Sequence, residues 1–408
     1  MADLQALVER AWTTPGVDDS PVRVSSGPLP PGFTVAEEYA VLPNAENARM
    51  LVPVGASAAV GAAFSRRFST LHGARERVYR SGLAAGYRVG AVERLCRDRL
   101  VVGMDQRVPR RDWPQWLLLS HLEATLGVSE LVALIPVRRA MPNTKPAFRL
   151  FDRAGRPHGY AKLGWSPATR AVVRDESLAL SSVQGRLSAV QVPRPLAAGS
   201  WRGSDYVVAE PLPPDLRPWR TDPLAAAHVL RDIAASGVTT RAPLSESSYL
   251  RRTLSSLSVA SHVAPELGAA LRTWLESLSH HETPLVFGRW HGDWVPWNVA
   301  SSDDGGVVAW DWEYSHPDVP VGFDLLHWHY QRRLAAKDGT IEAAVQALYA
   351  AQDQLSALSV PADMHRTVAS LYLIEMLTRS LRLAAAGAGW NPRVYPPAAR
   401  LVPKLVPS

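Results

Sequence analysis

The stretch that most constrains this chain is His291-Gly292-Asp293-Trp294-Val295-Pro296-Trp297-Asn298. An apolar run, Leu285-Val286-Phe287, leads into it. A second, Val307-Val308-Ala309-Trp310, follows it and ends on Asp311. The pattern predicts strand, polar loop, strand, acid, with two carboxylates and one amide at the ends of short paired strands. Asp and Asn in loops are commonly turn formers or helix caps. Here they also make a chemical set. One carboxylate can orient a hydroxyl, and an Asn with a second Asp can hold Mg²⁺, which phosphoryl transfer requires.

A chain of 408 residues exceeds one ordinary core and predicts two or three domains. Hydrophobic residues at 47% and charged residues at 20% describe a packed globular protein rather than a disordered one. The single cysteine, Cys96, excludes an internal disulfide framework and a cysteine-rich zinc site. It reads as a small apolar residue within a helix. The start, Met1 to Arg10, carries acids and lacks the apolar core of a signal peptide, and no apolar run reaches membrane-spanning length. The expectation is a cytoplasmic protein. A net charge of +6 suits an anionic ligand such as a nucleotide. The arginines, in pairs such as Arg66-Arg67, Arg110-Arg111 and Arg251-Arg252, are too dispersed for a nucleic-acid stripe.

Along the chain, a helix is expected over Leu4–Trp12, then a Pro/Gly/Ser-rich loop over Ser25–Phe33. Strands are expected at Glu38–Leu42, Arg49–Val54 and Arg99–Gly103. Helices are expected at Ala56–Phe68, Tyr79–Ala85, Val92–Arg97 and Trp113–Leu126. Three strands follow, Leu131–Val137, Ala147–Phe151 and Gly159–Leu163. Then comes a helix that Ser166 can cap, with Pro167 at its first position, running to about Gln184. Two more strands, Arg194–Ala198 and Tyr206–Ala209, end at Glu210-Pro211. Beyond that crossing the periodicity is helical: Pro223–Ala235, Glu246–Leu257, Glu266–Leu278, Val321–Ala336, Ile341–Leu358 and Met364–Ala386. The expected organisation is an N-terminal module over 1–127, a sheet-rich lobe over 128–211 and a helical lobe over 212–408.

A small sheet with one helix, a hinge, and a helical lobe carrying His291-Gly292-Asp293, Asn298, Asp311-Trp312-Glu313 and Asp324 in Gly322-Phe323-Asp324-Leu325 resembles a known family. It is the aminoglycoside phosphotransferase and choline kinase branch of the protein-kinase-like fold. The resemblance covers residues 128 to 390. It implies an α+β fold of two lobes with an additional N-terminal region. It also implies transfer of the γ-phosphoryl group of ATP, with Mg²⁺, to a hydroxyl of a small molecule such as a sugar, amino alcohol or natural product. GTP is not distinguished from ATP.

By position, the resemblance makes Asp293 the residue that orients the attacking hydroxyl, and Asn298 and Asp311 the metal ligands. His291 would brace the catalytic loop, and Asp324, near a helix start, would brace it from below. Lys162 on the third strand would meet nucleotide phosphates and pair with Glu176, with Asp175 as the rival one residue away. Glu210 and Leu212 would lie at the hinge against the base. The departure is the connection Arg138–Pro146, which contains no glycine, so that Asn143, Thr144 and Lys145 would have to supply donors there. That absence supports an alternative, a catalytically silent kinase-like protein that binds nucleotide or a partner. Trp290, Trp294, Trp297, Trp310, Trp312 and Trp328 crowd the motif as core residues with paired indole N–H groups, Trp294 and Trp297 being the candidates for a ligand. Glu313, Asp318 and Glu375 are the acids available to an acceptor, too few for a strongly acidic pocket.

Overall fold

The computed structural model describes residues 1–13, 20–57, 60–61, 82, 85–86, 96–139, 141, 143–219 and 222–405. The chain forms two compact units: Met1–Ser177 with Pro193–Arg217, and Leu178–Val192 with Pro218–Ser408. The expected helices over Ala56–Phe68, Tyr79–Ala85 and Val92–Arg97 fall largely outside the described residues. Cys96 is not helical. It lies in the irregular segment before a strand and packs against the small cluster that includes Leu42, Val52 and Leu134.

The first unit is built on one nine-stranded sheet. Its strands are β1 (Val22–Ser25), β2 (Phe33–Leu42), β3 (Met50–Pro53), β4 (Arg99–Asp105), β5 (Leu131–Pro136), β6 (Ala147–Asp152), β7 (Pro157–Gly164), β8 (Pro195–Trp201) and β9 (Ser204–Ala209). The order across the sheet is β1-β4-β2-β3-β5-β6-β7-β9-β8. Residues 1–127 therefore add four strands to the sheet of the following segment. They join it where β3 pairs antiparallel with β5, Met50 opposite Pro136 and Leu51 opposite Ile135. The short β1 lies just before the expected Ser25–Phe33 loop, in residues given no element, because Val22 and Val24 are its only apolar residues.

One face of the sheet covers a core of Val102, Met104, Ala133, Ile135, Phe148, Leu150, Ala161, Leu163 and Val208. The Ala2–Ala11 helix enters this core through Leu7 and Val8, and the Leu118–Leu126 helix through Leu118 and Leu122. The latter starts later than its periodicity implied, because Pro114 sits in a separate 3₁₀ turn over Arg110–Gln115. Ser166 caps the Pro167–Val183 helix as expected: its Oγ accepts from the Thr169 amide at 3.3 Å.

The second unit is mainly helical. The Ser248–Ala260, Pro265–Leu278, Phe323–Ala335 and Ile341–Ala350 helices pack on the His365–Ala385 helix, which is buried almost continuously from Thr367 to Thr378, and the Ala227–Ala235 helix packs on the Leu285–Trp290 strand. The helix expected over Ile341–Leu358 breaks after Ala350 and resumes as a 3₁₀ segment, Gln352–Leu358. Among the described residues no helix is long and apolar enough to cross a membrane. The order of elements, an antiparallel sheet with one long helix followed by a helical unit carrying the motif between short strands, is the α+β arrangement expected.

Glu37 is the costly feature of the first unit. Tyr39 donates its hydroxyl to Glu37 Oε2 at 2.6 Å and Trp12 donates its indole N–H at 3.1 Å, while Oε1 is buried with no partner. Burial pushes the carboxyl up from 4.5 to about 7, against the pull of those two donors. Folding therefore takes up a proton between pH 4.5 and about 7. Stability from this group is complete below the lower value and is lost as pH rises through the upper one. Glu37→Gln, which stays neutral, is expected to raise the melting temperature at pH 8 by about 2–4 °C. The gain should shrink as pH falls toward the unfolded value, as calorimetry across pH will read.

Candidate active site

The motif loop hangs between two short sheets of the second unit. The strand before it, Leu285–Trp290, pairs with Thr240–Ala242 on one side and His316–Pro320 on the other. The strand after it is Val299–Ser301, which pairs with Val307–Ala309. The two apolar runs flanking the motif therefore lie in different sheets and do not pair with each other, contrary to expectation. Asn298 is followed at once by a strand too short to be visible in the apolar pattern. This rearrangement brings the amide to the second acid. Val299 stands opposite Ala309, and the Trp310 amide donates to the Asn298 carbonyl at 3.1 Å. Asn298 and Asp311 thus sit at the same end of one hairpin, with Asp311 turned out of the strand by a positive φ of 64°.

The loop is fixed from beneath by Asp324, one residue into the Phe323–Ala335 helix. Its two oxygens accept from successive backbone amides, His291 at 2.7 Å and Gly292 at 3.1 Å. Complete burial pushes the Asp324 carboxyl up to about 7, the two amide donors pulling the other way. Gly292 is at φ 86°, and a Cβ there would overlap the Tyr314 carbonyl, so the motif needs glycine at this point. His291 is wholly buried and burial lowers its pKa to about 4, so it is neutral. Its Nδ1 accepts from the Asp293 amide at 3.2 Å and its Nε2–H donates to the Trp310 carbonyl at 3.0 Å. It ties the loop to the hairpin and offers no free nitrogen.

Asp293 is held at both carboxylate oxygens. Asn298 Nδ2 donates to Oδ2 at 2.7 Å and to the Asp293 carbonyl at 3.1 Å. His327 Nε2 meets Oδ1 at 3.0 Å. Burial alone would raise this carboxyl. The His327 hydrogen bond and the nearby Arg379 charge outweigh it, and Asp293 stays ionised, below the usual carboxylate range. Its side chain keeps 28% exposure, enough to meet an incoming hydroxyl. Because Asn298 spends its nitrogen on Asp293, its amide oxygen is left for another partner. That oxygen and the Asp311 carboxylate are hard donors. Two protein oxygens, completed by water and phosphate, are what Mg²⁺ takes at such sites.

In the first unit, the strand alternation that turns Ala161 and Leu163 into the core sends Lys162 to the opposite face. There Lys162 Nζ pairs with Glu176 Oε1 at 2.7 Å, which decides between Glu176 and Asp175 for this contact. Glu210 contacts Arg194 at 3.5 Å, and Leu212 is buried. In the glycine-free connection, the Thr144 hydroxyl donates to the Arg139 carbonyl at 2.9 Å and accepts from the Met141 amide, so it closes the turn on itself. Arg10, from the first helix, lies over the Trp165 ring at 4.1 Å and donates to the carbonyls of Met141 and Thr144. Lys145 is half-buried and Asn143 is exposed.

The tryptophans divide. Trp290, Trp294, Trp312 and Trp328 are core, whereas Trp297 is 46% exposed within the loop. The expectation of paired indoles holds for Trp312, which donates to the Ala309 carbonyl, but Trp290, Trp294 and Trp328 have buried N–H groups without a partner. Trp294, wholly enclosed, presents no surface to a ligand. Of the three acids, Asp318 is occupied by Arg252 at 3.3 Å and by the Ser248 hydroxyl. Glu375 borders the buried Tyr249.

Sequence reasoning passed over three residues at the loop. His327 stands three positions after Asp324 on one helix, so the face that presents one presents the other. Tyr372 and Arg379 lie two turns apart on the His365–Ala385 helix. Arg379 donates to the Gly292 carbonyl at 2.9 Å and lies against the Trp290 and Tyr314 rings.

No family model matches the sequence. No curated protein matches it either. Among solved structures, it is similar to a proposed fructosamine-3-kinase from Haemophilus somnus 129PT. That match has a TM-score of 0.44 and 11% identity, covering 70% of this chain and 95% of that one. It is also similar to choline kinase LicA from Streptococcus pneumoniae, with a TM-score of 0.43 and 14% identity, covering 70% and 96% of the two chains.

Removing Asp324 leaves two buried amides without acceptors. Asp324→Ala is expected to lower the unfolding free energy by about 2–5 kcal/mol in urea titrations. Asp324→Asn, which keeps one acceptor oxygen, should lose clearly less. Equal losses would show that the amides do not depend on this side chain.

Proposed function

We propose that the chain is a phosphotransferase that moves the γ-phosphoryl group of a nucleoside triphosphate, with Mg²⁺, to a hydroxyl of a small molecule. The observation that carries this is the treatment of Asp293. A partly open carboxylate is kept ionised by donors on both oxygens, while the amide oxygen of Asn298 stays available at the same hairpin end as Asp311. An orienting carboxylate beside two hard ligands is the equipment of in-line phosphoryl transfer, which relies on positioning and charge neutralisation more than on strong bases. Asn298 and Asp311 would hold the metal, which neutralises phosphate charge when bound. Lys162, held by Glu176, would do the same with its ammonium group. Asp293 would align the acceptor hydroxyl and take its proton as the bond to phosphorus forms, with no phosphorylated residue on the way. Trp297, exposed in the same loop as Asp293, would offer that acceptor an apolar surface.

The acceptor in this reading is a sugar, amino alcohol or natural product, with ATP or GTP as donor and a cytoplasmic setting. The self-closed turn at Thr144 favours a second reading, a silent nucleotide-binding relative. Thermal stabilisation by Mg-ATP without turnover on any acceptor would support it.

The test is release of ADP or GDP across a panel of sugars, polyols and amino alcohols. Asp293→Asn is expected to lower turnover by about 10²–10⁴-fold. Asn298→Ala should make activity demand far more Mg²⁺, and Lys162→Ala should raise the KM for nucleotide. Undiminished turnover by Asp293→Asn would overturn the role given to that carboxylate.

A further inference from the structure

We infer that His327 and Tyr372 form a buried pair that sets the position of Asp293. His327 would be a positioning residue for the acceptor hydroxyl rather than an ordinary core histidine. The inference rests on the reading of Asp293 as the hydroxyl-orienting carboxylate.

His327 is fully buried on the Phe323–Ala335 helix, and Tyr372 is fully buried on the His365–Ala385 helix. The Tyr372 hydroxyl lies 2.9 Å from His327 Nδ1, and His327 Nε2 lies 3.0 Å from Asp293 Oδ1. The ionised Asp293 carboxylate can only accept, so Nε2 carries the ring proton and donates it to Oδ1. Burial keeps the ring neutral, which leaves Nδ1 bare to accept from the Tyr372 hydroxyl. The two partners thus agree on one tautomer, and that tautomer holds the acid. The ring has little freedom to turn. Trp290 meets it edge-on at 6.1 Å and Tyr372 at 5.9 Å. The charged and titratable groups around it are Asp293, Tyr372, Arg379 and His291.

The consequence lies at Asp293. Asn298 holds Oδ2 from the loop and His327 holds Oδ1 from the helix below. Rotation of the carboxylate would break both bonds, so its remaining lone pairs are presented in one direction. His327 already carries a proton at Nε2 and cannot receive another there. It stays a donor throughout and acts through the Asp293 carboxylate. A histidine serving the core alone would be satisfied by any carbonyl; this one is satisfied by the single carboxylate the proposed chemistry uses, and it carries a second buried residue committed to its tautomer.

Two readouts test the pair, and only one needs an acceptor. The full-length chain is labelled with ¹⁵N-histidine, and long-range ¹H–¹⁵N correlation spectra are recorded between about pH 5.5 and 8. The His327 signal is identified by its loss in His327→Gln. The expected signature is a neutral Nε2–H ring over that range, with an imidazolium form appearing at the acid end in Tyr372→Phe. An Nδ1–H ring or an imidazolium at pH 7 in the parent chain would overturn the inference. If the acceptor panel yields no substrate, the functional reading fails while this spectrum still decides the pairing. With a substrate in hand, His327→Ala is expected to lower kcat by about 10²-fold with the KM for nucleotide unchanged. Tyr372→Phe, the milder change should the alanine variant not fold, is expected to lower kcat by about 10-fold. Unchanged kcat in Tyr372→Phe, with the tautomer also unchanged, would overturn the role of the tyrosine and with it the pair.

Discussion

The candidate site depends on one carboxylate that does no chemistry. Asp324 takes the amides of His291 and Gly292 and so decides how the loop enters the space above the helix. Everything else at the loop is referred to that contact. Gly292, in a left-handed conformation only glycine tolerates here, gives its carbonyl to Arg379 and lets the chain turn toward Asp293. His291 then reaches across to the Trp310 carbonyl and ties the loop to the hairpin that ends in Asp311. A buried acid whose two oxygens replace two backbone partners is expensive to place, and the N–H donors offset that cost only while the loop keeps this geometry.

The helix that carries Asp324 also carries His327, and this is where the site acquires its depth. Three positions along a helix return to the same face, so a single element supplies one side chain to the loop backbone and another to the Asp293 carboxylate. The His365–Ala385 helix adds Tyr372 and Arg379 by the same geometry over two turns. Backbone, acid and ring are thus fixed by two helices whose other faces are core. The strands contribute the remaining part, alignment of Asn298 with Asp311 through the Val299–Ala309 rung.

Much of this was legible from residues alone, for identifiable reasons. The spacing from His291 to Asn298 and the acid at 311 are local, and local patterns survive into structure. Lys162 and Glu176 were legible as a pair only through the resemblance, with Asp175 left as a rival one residue away, and the contact with Glu176 came from the structure. Pairing between distant segments was not legible. The runs at Leu285 and Val307 look alike as sequences, yet they enter different sheets, because the strand that pairs with Val307–Ala309 is three residues long and carries no alternating signal. His327 was missed for a related reason. A histidine inside an apolar helix reads as core until the neighbour that receives its proton is known. The buried indole N–H groups of Trp290, Trp294 and Trp328 are unpaired where pairing was expected, since the position of a carbonyl within reach of an indole is set by tertiary packing that no periodicity reports.

The seam between β3 and β5 has its own consequence. The nine-stranded sheet is joined there by two residue pairs, and one partner is Pro136, which has no amide to give. The Val137 amide, bonded to the Arg49 carbonyl, adds a little. What holds the seam is therefore the burial of Leu51 and Ile135, both fully enclosed, more than a ladder of backbone bonds. A joint of that kind follows the temperature dependence of apolar hydration. It is firmest in the middle of the range and loosens on cooling, whereas the long pairings of β2 with β4 and of β6 with β7 keep their hydrogen bonds. Within the sheet, the seam itself is thus a contact that cold would relax before the hydrogen-bonded ladders beyond it.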